Sequence, residues 1–209
     1  MAADYAGGVN PPLPAELADC CIADSHDRVA WLKARSYGIT ATDAAHLCTT
    51  RSVASVVRAK TNAWRFNGNA YTEYGRRREP VIAAWMREHY GIESNTRLFC
   101  SPRNERHLAT PDGITPPDQP FLLAEIKTST RPISALPRTY LRQIWWQQYV
   151  LGADRTLLVW EQQQGFQPVD AEPQVRWIDR DDAQITNLVR LADLVLEQLD
   201  RDFRPAPLV

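Results

Sequence analysis

Three charged residues near the middle of the chain have types and spacing suited to metal-assisted chemistry. Asp112 stands in a Pro-Asp-Gly turn, and Glu125 and Lys127 follow in a run over residues 121–128 that has a strand pattern. Because side chains alternate between the faces of a strand, Glu125 and Lys127 share one face, and the other face is apolar, with Leu122, Ala124 and Ile126. Charges buried there are costly unless they are paired or bind a metal. The pair is either a salt bridge contributing about 0–1 kcal/mol or part of a site, and the nearby Asp112 favours a site.

A third carboxylate, Glu79, precedes a proline at the edge of a predicted helix. Oxygen ligands from Glu79, Asp112 and Glu125, without His or Cys, suit Mg²⁺ or Mn²⁺. Such an ion stabilises phosphoryl charge and activates water, and a neighbouring lysine orients that water or stabilises developing charge. These parts together predict metal-assisted hydrolysis of a phosphodiester. Each acid also has an ordinary interpretation, since Asp before Gly is a common turn residue and Glu79 could be an exposed helix residue.

Composition limits the remaining classes of function. The chain has 209 residues, 44% of them hydrophobic, and a formal net charge of −1, which predicts one globular domain without a global nucleic-acid charge signature. Its cysteines form no CxxC pair, which argues against a zinc or iron–sulfur site; they are Cys20, Cys21, Cys48 and Cys100. The sequence has no apolar run of membrane-spanning length and no secretory leader pattern, so we expect no membrane partner and a cytoplasmic protein with reduced thiols.

Hydrophobic periodicity and capping residues predict an α/β arrangement on a small mixed sheet. Helices are predicted over residues 28–35, 43–60, 72–90, 136–151 and about 182–200, with caps at Asp27, at Thr40 or Thr42, at Gly91, at Gly152, and at Asp179 or Asp181. Strands are predicted over residues 97–101, 121–128, 156–161 and 175–178. Residues 1–23 are interpreted as a flexible arm, residues 61–71 as a loop, and residues 24–209 as a single domain.

The third predicted helix supplies Glu79. Val81, Ile82, Trp85 and His89 recur with a helical spacing and are expected to form its inward face. Proline fits the first turn of a helix better than its middle, so Pro80 predicts that the regular helix begins near Arg78, after a looser turn.

Five segments, in order, carry a resemblance to a known nuclease family. They are residues 31–43 (WLKARSYGITATD), 75–80 (GRRREP), 109–113 (ATPDG), 125–127 (EIK) and 140–152 (YLRQIWWQQYVLG). Together they resemble the PD-(D/E)XK nucleases, and within them the group of phage lambda exonuclease and YqaJ-type viral recombinases. The resemblance implies a restriction-endonuclease-like core, a small mixed β-sheet flanked by helices. One departure is Trp145, which stands where the family has the second glutamine of its helix motif.

The resemblance also implies roles for particular residues. Asp112, Glu125, Glu79 and the backbone carbonyl of Ile126 would bind Mg²⁺ or Mn²⁺, as a pair of ions. Lys127 would attend the nucleophilic water, and Gln143 would act near the scissile phosphate. Positions that hold a terminal 5′-phosphate in the group are matched by Arg35, Thr42 and Thr110; ordinary alternatives are a solvated helix end for Arg35 and a plain N-cap for Thr42. Arg76, Arg77 and Arg78 would line a DNA channel or form a solvated face, whereas Trp145 and Trp146 are interpreted as packing residues.

The activity implied by the resemblance is a 5′ to 3′ exonuclease acting on double-stranded DNA ends. Its 3′ single-stranded product would serve recombination with a single-strand annealing protein in a bacterial or phage-infected cell. The small chain and its net charge also lead us to expect a ring-shaped homotrimer, as in the lambda-type group. The alternatives are a RecB-like or CRISPR-associated nuclease with another end preference, and a catalytically inactive DNA-binding protein. An intact set of Asp112, Glu125 and Lys127 argues against inactivity.

Overall fold

A mixed sheet at the centre of the protein carries the strand with Glu125 and Lys127. The computed structural model describes residue 10 and residues 12–61 and 69–202. The strands are β1 (Cys21–Asp24), β2 (Glu93–Ser94), β3 (Arg97–Ser101), β4 (Asn104–Ala109), β5 (Gly113–Ile114), β6 (Leu123–Ser129), β7 (Arg155–Gln164), β8 (Gln167–Pro168) and β9 (Gln174–Asp179). The helices are α1 (Ala15–Ala18), α2 (Arg28–Tyr37), α3 (Ala41–Ala45), α4 (Thr50–Thr61), α5 (Ala70–Tyr90), α6 (Arg138–Leu151) and α7 (Asp182–Asp202).

The sheet order places one parallel strand pair at the middle. The central sheet runs β2-β5-β6-β7-β8, with β9 also paired to β7, and a smaller sheet runs β1-β3-β4. β6 and β7 are parallel, with Glu125 opposite Leu158 and Thr128 opposite Glu161, while the other pairings are antiparallel. Parallel strands need a crossover, which here contains α6. The predicted α/β arrangement on a small mixed sheet is therefore confirmed.

The two faces of β6 pack against different helices, as the alternation predicts. Ala124 and Ile126 join a core cluster with Ile82 and Met86 of α5. On the opposite face, Leu123 joins the larger core that includes residues of α6 and α7. Glu125 lies on the α6 side of β6, and α5 covers the other side.

Side-chain and glycine caps fix the ends of several helices. Thr40 and Asp43 form a capping box at the start of α3, so Thr40 and not Thr42 is the cap. The backbone N–H of Gln184 donates to Asp181 at the start of α7 (3.0 Å). Gly91 and Gly152 end α5 and α6 in the left-handed region, with φ of +66° and +75°.

Several predicted boundaries are wrong for identifiable reasons. The flexible-arm prediction fails for residues 12–23, because β1 pairs with β3 and Leu17 of α1 is buried; residues 1–9 and 11 lie outside the described residues. The predicted helix over residues 43–60 is interrupted between α3 and α4. Most of the predicted loop over residues 61–71 also lies outside the described residues.

The helix carrying Glu79 differs most from its prediction. α5 begins at Ala70, where the Asn69 side chain accepts a hydrogen bond from the Thr72 N–H, and continues through Pro80 without a break. Its inward face is formed by Tyr74, Ile82, Ala83 and Met86. The predicted members Val81 and His89 are exposed, so that part of the prediction is wrong.

The first predicted helix also packs differently from its sequence pattern. α2 begins after Asp27, as predicted, and the Ala30 N–H donates to the Asp27 side chain. No residue of α2 is buried, and its apolar member Val29 is 79% exposed.

Within the ranges that the structure describes, no helix is long and apolar enough to cross a membrane.

Candidate active site

The Pro-Asp-Gly turn is hydrogen-bonded directly to β6. The Asp112 N–H donates to the Ala124 carbonyl (3.0 Å), and one Asp112 carboxylate oxygen accepts from the Ile126 N–H (2.7 Å). Residue 113, which follows Asp112, has no room for a side chain, because a Cβ there would lie 2.7 Å from the Met86 side chain and 2.9 Å from that of Ile92. The close approach of turn and helix thus brings Asp112 beside the strand that carries Glu125.

Glu125 is the best-supported side chain of the group. It is only 2% exposed, and each of its carboxylate oxygens accepts at least one hydrogen bond. Lys127 and the Gln143 amide donate to Oε1, and the Gln147 amide donates to Oε2 (2.6 Å). Three donors on two different elements therefore fix the orientation of this carboxylate.

Lys127 lies between the strand and α6. Its ammonium contacts Glu125, donates to Oε1 of Gln143 (3.0 Å), and lies 5.5 Å from the centre of the Tyr140 ring. Burial disfavours the charged ammonium, but the negative charges of Glu125 and Asp112 outweigh burial and raise the pKa of Lys127. Lys127 is therefore a cation at neutral pH and a hydrogen-bond donor inside the site.

The carboxylates are close enough to disfavour one another's ionisation. Burial, followed by the charges of Glu125 and Glu79, raises the pKa of Asp112 well above its ordinary value. The Glu79 residue as a whole is exposed, yet desolvation of its carboxyl and the charge of Glu125 raise its pKa as well. Glu79, Asp112 and Glu125 thus act on one another electrostatically, and the cation of Lys127 opposes the rise in pKa of both Asp112 and Glu79.

A buried ion pair attaches the Glu79 helix to the sheet. The Arg78 guanidinium donates to both carboxylate oxygens of Glu161 on β7, the shorter contact being 2.6 Å, and the Tyr74 hydroxyl donates to the same carboxylate (2.6 Å). Burial and Glu161 raise the pKa of Tyr74 to about 12, so its hydroxyl remains a donor. Arg78 therefore anchors α5 to the sheet, a role that differs from both the predicted DNA channel and the predicted solvated face. Arg76 and Arg77 are exposed.

The residues expected to contact a terminal phosphate lie on three different elements. Arg35 packs over the Trp31 ring, 4.3 Å from its centre; burial lowers its pKa, and the charge of Asp43 opposes that effect. Thr42 is exposed on α3. Thr110 follows β4, its carbonyl lies 3.5 Å from the Gln147 amide, and its hydroxyl is buried without a hydrogen-bond partner. Thr110 is thus beside the carboxylates, whereas Arg35 contacts Trp31 of its own helix and accepts a hydrogen bond at its carbonyl from Lys60 of α4 (3.2 Å).

The donor atoms of the site are suited to a hard divalent cation. In the part of the chain that is described, no three His, Cys, Asp or Glu side chains are close enough to hold a metal ion as they stand. Carboxylates of Asp112, Glu125 and Glu79, with the Ile126 carbonyl, are nevertheless the oxygen donors that Mg²⁺ and Mn²⁺ prefer.

Two structural partners were not assigned from the sequence. Gln147 is fully buried and contacts Glu125; its position one helical turn after Gln143 was the available signal. Glu161 gave no local signal, because its partners Arg78 and Tyr74 are more than 80 residues away in sequence. The two tryptophans pack as predicted: Trp145 and Trp146 are buried, and their indole N–H groups donate to backbone carbonyls.

Several solved exonuclease structures have a fold similar to that of this chain. Two crystal structures of LHK-Exo, an alkaline exonuclease from Laribacter hongkongensis, one of them in complex with dAMP, align with TM-scores of 0.64 at 22% and 21% identity, covering 82% of this chain and 92% of theirs. A phage-related exonuclease from Haemophilus somnus 129PT aligns with a TM-score of 0.55 at 17% identity, covering 74% of this chain and 83% of that one. The predicted PD-(D/E)XK fold is therefore confirmed.

The sequence itself matches a family model. No curated protein matches the chain significantly. The model of the YqaJ-like viral recombinase domain matches residues 30–154, which are more than half of the chain and include every predicted site residue. This protein belongs to the YqaJ-like viral recombinase family.

Proposed function

We propose that this protein is a metal-dependent DNA exonuclease that digests duplex ends from 5′ to 3′ and leaves 3′ single-stranded tails. The observation that carries the proposal is the convergence of Asp112, Glu125 and Lys127 at β6, with the Glu125 carboxylate held by three side-chain donors. A buried acid fixed in this way suits a site that must hold its geometry while charge develops on a phosphate. Membership of a viral recombinase family and similarity to exonuclease structures support this reaction class.

The proposed roles are those that the family resemblance implies, and the contacts of Asp112, Glu125 and Lys127 are compatible with them. Asp112, Glu125, Glu79 and the Ile126 carbonyl would hold a pair of Mg²⁺ or Mn²⁺ ions. When bound, such ions polarise the phosphate and lower the pKa of a bound water. Lys127, kept cationic by its acidic neighbours, orients the attacking water and donates to the phosphate oxygens.

Gln143 and Gln147 complete the support of the site from α6. Gln143 donates to Glu125 through its amide nitrogen and accepts from Lys127 through its oxygen. Gln143 therefore holds Glu125 and Lys127 in fixed relative positions while the hydrogen bonds of either side chain change during the reaction. Gln147 keeps the second oxygen of Glu125 in place.

The proposed end preference assigns the terminal 5′-phosphate to Arg35, Thr42 and Thr110. Arginine supplies a bidentate fork and hydroxyls donate to phosphate oxygens. The unpartnered buried hydroxyl of Thr110, next to Gln147, is a free donor close to the carboxylates. Arg76, exposed on α5, would contact the backbone of the duplex.

The assembly and the cellular setting are proposed on the same basis. Residues 24–209 would act as one nuclease domain, and three copies would form a ring around the duplex, since a chain with a net charge of −1 gains little from global attraction to DNA. The 3′ tails would be passed to a single-strand annealing protein in the cytoplasm of a bacterial or phage-infected cell.

Digestion of end-labelled linear duplexes tests the proposal. We expect Mg²⁺-dependent release of nucleotides from the 5′ end, faster with a 5′-phosphate than with a 5′-hydroxyl, and no release in chelator. Arg35→Ala should remove most of the preference for the 5′-phosphate, whereas the exposed arginine variant Arg28→Ala on the same helix should keep it. Release from the 3′ end first would instead support the nuclease alternative with another polarity, and binding without any hydrolysis would support the inactive DNA-binding protein.

A further inference from the structure

Two of the four cysteines lie opposite each other at the edge of the smaller sheet. Cys20 immediately precedes β1, and Cys100 lies in β3. The Cys100 N–H donates to the Cys20 carbonyl (2.9 Å), which extends the antiparallel pairing of Cys21 with Phe99 by one residue. Opposed, hydrogen-bonded residues of an antiparallel pair have Cα atoms about 5.5 Å apart, and disulfides span about 4.4–6.8 Å. The backbone therefore places these two cysteines at disulfide spacing.

The two thiols also share one face of this sheet. The neighbouring pair, Cys21 and Phe99, packs with the larger core, so strand alternation directs Cys20 and Cys100 to the opposite face. The Cys100 thiol forms a hydrogen bond with the Cys20 thiol. Both residues are partly exposed and neither is in a disulfide. A small oxidant in solution therefore has access to two thiols that are already in contact.

The strand next to Cys20 is held to the sheet by few backbone contacts. β1 lies at one end of the order β1-β3-β4, and its pairing with β3 covers three residue pairs, with an irregularity between Cys21 and Ala23. Short edge strands with few hydrogen bonds open locally at a low free energy. A covalent bond between Cys20 and Cys100 would hold β1 and the preceding helix α1 to β3.

We propose that Cys20 and Cys100 form a reversible disulfide when the protein meets a low-molecular-weight disulfide such as oxidised glutathione. The Cys20 thiolate attacks one sulfur of the oxidant, which forms a mixed disulfide and releases one small thiolate. The Cys100 thiol then loses its proton, attacks the Cys20 sulfur and releases the second small thiolate. Overall, two protein thiols are oxidised to one disulfide, and the oxidant is reduced to two small thiols that carry the two protons.

The order of the two attacks follows from the surroundings of Cys100. Burial, followed by the charge of Cys20, raises the pKa of the Cys100 thiol, so little of it is thiolate at neutral pH. Cys100 is therefore the residue that resolves the mixed disulfide. Its contact with Cys20 makes that step intramolecular, and the high effective concentration offsets the low fraction of thiolate.

The proposed bond would close a long loop of the chain. Helices α2 to α5, with Arg35 and Glu79 of the proposed nuclease site, lie between the two cysteines. Cross-linking a long loop restricts the unfolded chain strongly, so we expect oxidation to raise the Tm by about 5–15 °C. Neither cysteine has a role in the proposed hydrolysis, so this inference does not depend on the nuclease function.

Treatment of the purified full chain with oxidised glutathione, followed by alkylation of the remaining thiols and peptide mass mapping, tests the site. We expect a peptide pair linked through Cys20 and Cys100, together with a rise in Tm that dithiothreitol reverses. Cys20→Ser and Cys100→Ser should each abolish the linked pair and the rise in Tm, and should leave a glutathione adduct on the remaining thiol. The control is Cys48→Ser, at an exposed cysteine, which should behave like the wild type.

Three results would overturn the disulfide site. They are glutathione adducts on the wild-type protein without a linked pair, a bond from Cys100 to Cys21 in place of Cys20, and a linked pair that leaves the Tm unchanged. The wild-type protein before and after reduction provides the comparison within one chain, so the test does not depend on the folding of either serine variant.

Discussion

Removal of the Arg78 charge is expected to destabilise the protein by loosening α5 from the sheet. Glu161 has a side-chain exposure of 5% and Arg78 one of 28%. Breaking a buried pair from one side costs about 3–5 kcal/mol, because the remaining charge is left uncompensated. Tyr74 still donates to Glu161 in the variant and Arg78 is partly hydrated, so we expect Arg78→Met to lower the free energy of unfolding by about 2–3 kcal/mol.

Urea unfolding followed by far-UV circular dichroism measures this change. The matched control is Arg77→Met, the exposed neighbour on the same helix, which should lie within about 0.5 kcal/mol of the wild type. Arg78→Lys should lie between the two, because an ammonium keeps the charge but loses the bidentate geometry. If Arg78→Met unfolds at the same urea concentration as Arg77→Met, the pair does not anchor α5 and the account of the Glu79 position is refuted.

Three further predictions concern the site and its support. Gln147→Leu should slow cleavage by about tenfold or more with unchanged DNA affinity, because one Glu125 oxygen loses its donor; single-turnover rates and anisotropy measure the two effects. Gly113→Ala should lower the free energy of unfolding by about 1–3 kcal/mol, since the new methyl group would lie 2.7 Å from a methionine of α5; denaturant unfolding checks it. The contribution of His107 to stability should fall as the pH drops below about 6.5, because burial, partly opposed by Asp193 of α7, lowers the pKa of His107, so the unfolded chain takes up the proton first. The raised pKa values of Asp112 and Glu79 act in the opposite direction, so denaturant unfolding should compare the pH slope of the wild type with that of His107→Gln, which lacks the His107 contribution.

Local patterns predicted the strand and the caps that position the site. The alternation of Leu123, Glu125 and Lys127 against Ala124 and Ile126 was sufficient to separate the two faces of β6, because the period of a strand is fixed by its geometry. The caps at Asp27, Gly91 and Gly152 were recognisable for a similar reason, since each satisfies backbone groups at a helix end.

Features that depend on distant partners were not predictable from local sequence. α5 continues through Pro80, although proline is disfavoured in the middle of a helix. Its inward residues, including Ile82 and Met86, pack on the central sheet, and that burial is available only in the folded protein. β1 forms in a segment with loop-like composition because it pairs with β3, more than 70 residues later. The ion pair of Arg78 with Glu161 could not be predicted, because the two residues are 83 positions apart in the sequence and Arg78 has two arginines as its nearest preceding neighbours.

The catalytic role of Lys127 is tested by the single-turnover rate at which the Lys127→Met variant cleaves a 5′-phosphorylated linear duplex in Mg²⁺. We expect a fall of about a hundredfold or more with a retained fold and retained DNA binding, because the variant removes the cation that orients water and stabilises the phosphate. Lys33→Met, at an exposed lysine of α2, is the control and should cleave like the wild type. Cleavage by Lys127→Met at the rate of Lys33→Met would contradict the assignment of this site.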